Sequence, residues 1–123
     1  MLVFLAVSVL VNPNTSAQDK SIQFPAGSNT ATVKGHANPL SSKSYKVRAG
    51  ANQQVAIHLT STSRKKLVQF NVARERYGVK TLPGAKGVTD WEGVLKQGGD
   101  YWISVYALPN AGEEDFTLEV ILK

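Results

Sequence analysis

Cysteine is absent from the chain. That excludes disulfides and a lipid-modified N-terminal cysteine, so an exported domain of this sequence must be held by packing alone. Histidine is scarce, with only His36 and His58, and their spacing offers no zinc site. No metal and no other cofactor is expected. No serine sits in a Gly-x-Ser-x-Gly elbow. Gly98-Gly99 lacks the lysine and helix of a phosphate loop. The acidic residues gather at Glu113-Glu114-Asp115, where solvated loop charge is the reading, without the spacing of a calcium loop. No stretch long enough for an amphipathic helix keeps an apolar face at helical spacing. These absences argue against an enzyme and against a helical body.

The longest apolar run, Leu2 to Val11, falls short of the ~20 residues that span a bilayer. Polar Asn12-Pro13-Asn14 and small Thr15-Ser16-Ala17 follow it, as at a signal-peptidase site. We read Met1–Ala17 as a secretory signal peptide, although no lysine or arginine precedes the run, and residues 18–123 as one domain. Export implies a periplasmic or secreted protein. The net charge is +5, and every charged residue lies after Ala17. This modest surplus would favour an anionic surface or an acidic partner. No basic stripe interleaved with aromatics appears, so nucleic acid is not an expected partner.

What the sequence has in abundance is alternation. In Tyr101-Trp102-Ile103-Ser104-Val105-Tyr106, side chains of one parity are apolar, the period of a strand with one buried face. Gly98-Gly99-Asp100 supplies the turn before it. Tyr45 and Val47 alternate with Lys46 and Arg48. Val55, Ile57 and Leu59 share a face, as do Val68, Phe70 and Val72. Phe116, Leu118, Val120 and Leu122 close the chain with Thr117, Glu119 and Ile121 facing out. Ser21–Phe24, Thr30–His36 and Asp90–Leu95, the last with an expected irregularity at Gly93, complete about eight short strands. Their spacing predicts an all-β fold, a single antiparallel β-sandwich. The stretch from Arg74 to Val88, with Gly78, Pro83, Gly84 and Gly87, reads as a long functional or mobile loop. Trp102 and Tyr106 lie opposite the core face. Exposed together they would form an aromatic platform for a sugar or a protein; the alternative is that a loop or the first strand covers them.

Tyr45-x-Val47 with Ala49-Gly50, Val55-x-Ile57-x-Leu59, Phe70-Asn71-Val72, Trp91-x-Gly93-x-Leu95, Gly99-Asp100-Tyr101-x-Ile103-x-Val105-Tyr106 and Phe116-Thr117-Leu118-x-Val120 resemble the strand motifs of pre-peptidase C-terminal-like β-sandwiches. The whole pattern is similar to the periplasmic inhibitors of g-type and i-type lysozymes. The resemblance implies a non-catalytic protein whose loops enter the cleft of a lysozyme-type glycosidase. It implies contacts from Gly99, Asp100 and Tyr101, and from the loop after Tyr106 that holds Asn110. The chain departs from the family at both places: Gly98-Gly99 replaces a Ser-Gly turn, and Pro109-Asn110-Ala111-Gly112-Glu113-Glu114 replaces an arginine-bearing loop. Arginine suits a carboxylate-lined cleft because its guanidinium pairs bidentately. Arg74 and Arg76, beside Tyr77, are the candidates to supply that cation here. A carbohydrate- or cell-wall-binding module using the aromatic face, and a structural envelope domain, remain the other readings.

Overall fold

The computed structural model describes residues 20–62, 66–74 and 80–123. Among these residues eight strands follow in order: β1 (Lys20–Ser21), β2 (Thr30–Ala37), β3 (Lys43–Ala49), β4 (Gln53–Ser61), β5 (Val68–Ala73), β6 (Asp90–Leu95), β7 (Gly99–Ala107) and β8 (Glu114–Leu122). They form two four-stranded sheets, one ordered β1-β3-β7-β5 and the other β2-β8-β4-β6. The all-β sandwich expected from the alternation is what the chain adopts. One pairing departs from a purely antiparallel scheme: β1 runs parallel to β3, Lys20 opposite Tyr45. Two residues carry no alternation from which direction could be read.

The core lies between the sheets and follows the parity of the sequence. Tyr45 and Val47 on β3, Val68, Phe70 and Val72 on β5, and Tyr101, Ile103 and Val105 on β7 face inward from the first sheet. Val55, Ile57 and Leu59 on β4 and Phe116, Leu118 and Val120 on β8 meet them from the second. Burying each large side chain contributes roughly 1.5–3 kcal/mol, and with no cysteine this layer is what holds the domain. Glycine shapes it at Gly93, where the β4–β6 ladder runs straight through, Val55 opposite Gly93. The expected irregularity does not occur. The missing side chain makes room for an indole: a Cβ there would stand 2.5 Å from the Trp91 ring.

The long loop is likewise not free over its described part. Residues 80–88 run along the outer edge of β5 and occupy its backbone. Phe70 and Val88 exchange N–H···O bonds of 2.8 and 3.1 Å, the Val72 amide donates to the Ala85 carbonyl (2.9 Å), and the Leu82 amide donates to the Val72 carbonyl (2.8 Å). A sheet edge that would otherwise offer unpaired groups to another chain is thereby closed.

Candidate functional site

The loops gather at the two ends of the sandwich, and the strands decide which residues share an end. Gly99 opens β7 and Ala107 closes it. At ~3.3 Å per residue these ends are ~26 Å apart. Gly99, Asp100, Tyr101 and Arg74 therefore stand at one end, while Tyr106 and Asn110 stand toward the other. The two elements expected from the family resemblance do not meet. Arg76 and Tyr77 lie outside the described residues.

At the Gly99 end, Arg74 follows β5 and reaches across the end of β7. Its guanidinium lies 4.9 Å from the centre of the Tyr101 ring. The same group donates to the Gln97 carbonyl and the Tyr101 hydroxyl, both at 3.3 Å. Tyr101 in turn donates to Gln97 at 2.6 Å. The tyrosine ring itself is core, only 2 % exposed, so its part is to seat the arginine rather than to touch a partner. Gly99 has φ +128° and faces Arg74, whose Nη2 would be 3.8 Å from any Cβ placed there. A side chain at that position would be strained. Asp100 accepts from Arg48 at 3.2 Å, and Lys96 and Lys123 stand exposed at the same end. The end is thus cationic, with one arginine held in place by a ring, a carbonyl and a hydroxyl.

At the opposite end Leu40 is 96 % exposed on a tight turn. Its amide donates to Asn38 Oδ1 at 2.9 Å and the Ser41 amide donates to the Asn38 carbonyl at 3.1 Å. Asn110 lies exposed in the turn closed by the Ala111 amide on the Leu108 carbonyl (2.9 Å). Between these turns His36 is bracketed by Glu113 at Nε2 and by Asp115 at Nδ1, the latter at 2.7 Å. The acidic trio is solvated only in part: Glu113 and Asp115 keep exposed carboxylates, as expected, whereas Glu114 does not. Glu114 is buried and accepts from the Thr62 hydroxyl at 3.1 Å, and Asp115 lies in β8 opposite His36. His58 also has a carboxylate partner, Asp90 at 2.7 Å. These pairs join residues distant in sequence, and only the strand register could have revealed them.

The hydrogen bonds that the ring donates to Asp115 and Glu113 raise the His36 pKa, and the bond accepted from His36 lowers that of Glu113. The raised histidine contributes stability in full below its ordinary value of about 6.5, lost as pH rises through the folded value. The lowered carboxylate contributes above its ordinary value of about 4.3, lost as pH falls through the folded one. The bracket is fully charged between the two. We expect the His36 ring resonances to titrate with a midpoint above 6.5, and the midpoint to drop in Glu113→Gln. An unshifted midpoint in the parent protein would show that the bracket is not formed in solution.

Trp102 and Tyr106 do lie on the outer face of the first sheet. Trp102 is half-buried between Lys46 and Ala73 on the flanking strands. The Tyr106 hydroxyl donates to Asn71 Oδ1 at 3.4 Å beneath the strap, where the Gly87 amide takes the same oxygen at 2.7 Å. Tyr106 is thus tied down rather than free to stack.

No family model and no curated protein matches this chain. Solved structures do resemble it. The crystal structure of Aeromonas hydrophila PliG, a periplasmic lysozyme inhibitor of g-type lysozyme, superposes with a TM-score of 0.67 at 22% identity, covering 85% of this chain and 96% of that one. Salmonella Typhimurium PliG gives 0.61 at 14% identity, covering 85% of this chain and 97% of that one. A mutant of the Escherichia coli PliG gives 0.60 at 13%, with the same coverage as the Salmonella protein. At these identities the likeness establishes the sandwich and its topology.

Proposed function

We propose that the chain is a periplasmic or secreted, non-catalytic binding protein that occludes the cleft of a lysozyme-type glycosidase with the loops of one end of its sandwich. The observation that carries this reading is Arg74. A glycosidase cleft presents carboxylates, and a guanidinium pairs with a carboxylate bidentately. Here the guanidinium is anchored over Tyr101 at a cationic end, so little side-chain freedom remains to be lost on binding. Three solved structures that the chain resembles are inhibitors of g-type lysozyme, which makes that enzyme the first target to test.

Binding to isolated g-type lysozyme, measured by calorimetry, separates occlusion of the enzyme from coating of its substrate. We expect a stoichiometric complex that stops lysis, weakened by Arg74→Glu at least ~10-fold, about 1.4 kcal/mol. Leu40→Asp at the opposite end should leave affinity within about twofold. If Leu40→Asp abolishes binding and Arg74→Glu does not, the other end carries the contact. No complex with g-, i- or c-type enzyme at tens of micromolar would sink the reading. A second reading, a cell-wall glycan module, draws on Trp102, which stands beside Lys46 on the outer face. Retention on insoluble peptidoglycan, lost in Trp102→Ala, together with no effect on isolated enzyme, would favour it.

A further inference from the structure

The two edges next to the strap are treated differently. β5 is closed by residues 80–88, whereas β6, the last strand of the second sheet, is open among the described residues. Hydrogen bonds flanking the ladder show which of its groups point outward. The Leu59 amide donates to Thr89 at 2.8 Å, so odd-numbered residues of β4 turn their backbone toward β6. The Lys123 amide donates to Gln54 at 2.8 Å, so even-numbered ones turn toward β8. Val94 lies opposite Gln54, and Glu92 opposite Ala56. Opposed residues of an antiparallel ladder point both at or both away from each other. The amides and carbonyls of Glu92 and Val94 therefore project out of the sheet, and among the described residues none takes them.

Both sides of this edge are concave. On the core side a groove of about 410 Å³ has an apolar wall of Leu82, Pro83, Trp91 and Leu95 and is shared with Arg74 and Tyr101. On the outer side a smaller one of about 260 Å³ lies by Gln54, Val94 and Lys123. Val94 is 47 % exposed. A free row of backbone groups with a depression on either face is the shape that an added strand fills.

We infer that the occupant is β6 of a second copy, paired antiparallel about a two-fold axis at Val94. The side chains favour that register over one centred on Glu92. Val94 meets Val94 of the second copy, so the exposed valine is covered. Glu92 faces Lys96 of the second copy, and Lys96 faces its Glu92. Shifting the axis to Glu92 would set two glutamates against each other, a destabilising pairing. An isologous contact closes at two subunits, joining the two four-stranded sheets into one of eight strands.

The absence of cysteine gives a clean test, because any introduced thiol is the only one in the chain. In the paired register the Cα atoms at position 94 lie ~5.5 Å apart, within disulfide reach. Position 92 of one copy stands ~13 Å from position 92 of the other, four residues along. Sedimentation should show a concentration-dependent dimer. Val94→Cys should cross-link on mild oxidation and Glu92→Cys should not. Lys96→Glu, which opposes like charges twice, should raise the dimer dissociation constant by about tenfold. The double exchange Glu92→Lys with Lys96→Glu should restore it to within about threefold. Circular dichroism melts verify that each variant folds. A monomer up to ~1 mM, equal cross-linking at positions 92 and 94, failure of the double exchange to restore association, or assemblies larger than a dimer would each overturn the inference.

Discussion

Leu118→Asp and Val105→Asp should each leave no cooperatively folded protein. Both side chains are 0 % exposed. Leu118 sits in β8 between Val33 on β2 and Leu59 on β4, and Val105 sits in β7 beside Phe70 on β5. Replacing either loses the roughly 1.5–3 kcal/mol gained by burying an aliphatic side chain. It also places a carboxylate where nothing can hydrogen-bond it, at a further cost of several kcal/mol after relaxation. Domains of this size have only about 5–15 kcal/mol of net stability, and this one has no disulfide to limit its unfolded state. The buried carboxyl would be driven toward its neutral form, since burial disfavours the charge. Any residual structure should therefore appear at acid pH and vanish near neutrality. Leu118→Met, which conserves volume, should cost less than about 1.5 kcal/mol. The measurement is a thermal melt followed by circular dichroism. A sigmoidal transition within a few degrees of the parent would mean that the residue faces water and that the sheet parity is misassigned.

The same parity explains what could be read without coordinates. A side chain's face in a strand depends only on whether its position is odd or even, so local sequence suffices for Tyr45, Ile57, Phe70, Ile103 and Leu118. It also suffices for the number of strands among the described residues, because turn residues separate them. What local sequence lacks is register. Its acidic neighbours make Asp115 read as part of a solvated loop; in the fold its carboxylate is exposed, but on a strand, opposite His36, 79 positions away. The strap along β5 was hidden for the same reason: nothing in Leu82, Ala85 or Val88 announces a backbone partner on another strand. The candidate site suffered most. Turns at the two ends of β7 are neighbours in sequence and ~26 Å apart in space. Only Arg74 of the two proposed arginines falls among the described residues, and its seat on Tyr101 follows from the β5–β7 pairing rather than from any motif.

Gly35→Ala should destabilise the domain by about 1–3 kcal/mol, the usual cost of overpacking a filled core, although it adds a single methyl group in a strand, where alanine ordinarily outperforms glycine. Gly35 lies directly opposite Phe116 in the β2–β8 ladder. A Cβ on it would stand 2.5 Å from the Phe116 ring tip and 3.0 Å from the Tyr45 hydroxyl. Neither ring has room to retreat. Phe116 is 3 % exposed and Tyr45 4 %, and the two hold an edge-to-face contact, centroids 6.4 Å apart and planes at 78°. Shifting the phenylalanine would disturb that pair, worth ~0.5–1.5 kcal/mol beyond area, and the bracket formed around neighbouring His36. Phe116→Leu should be destabilising on its own, because it leaves a void beneath β2. Combined, the two substitutions should be less destabilising than their sum, since the new methyl occupies part of the vacated space; residues in direct contact show such coupling at 0.5 kcal/mol or more. Urea denaturation of the four proteins in the cycle measures it. Simple additivity would mean that the ring yields freely, and that the missing side chain at position 35 serves the backbone rather than the aromatic pair.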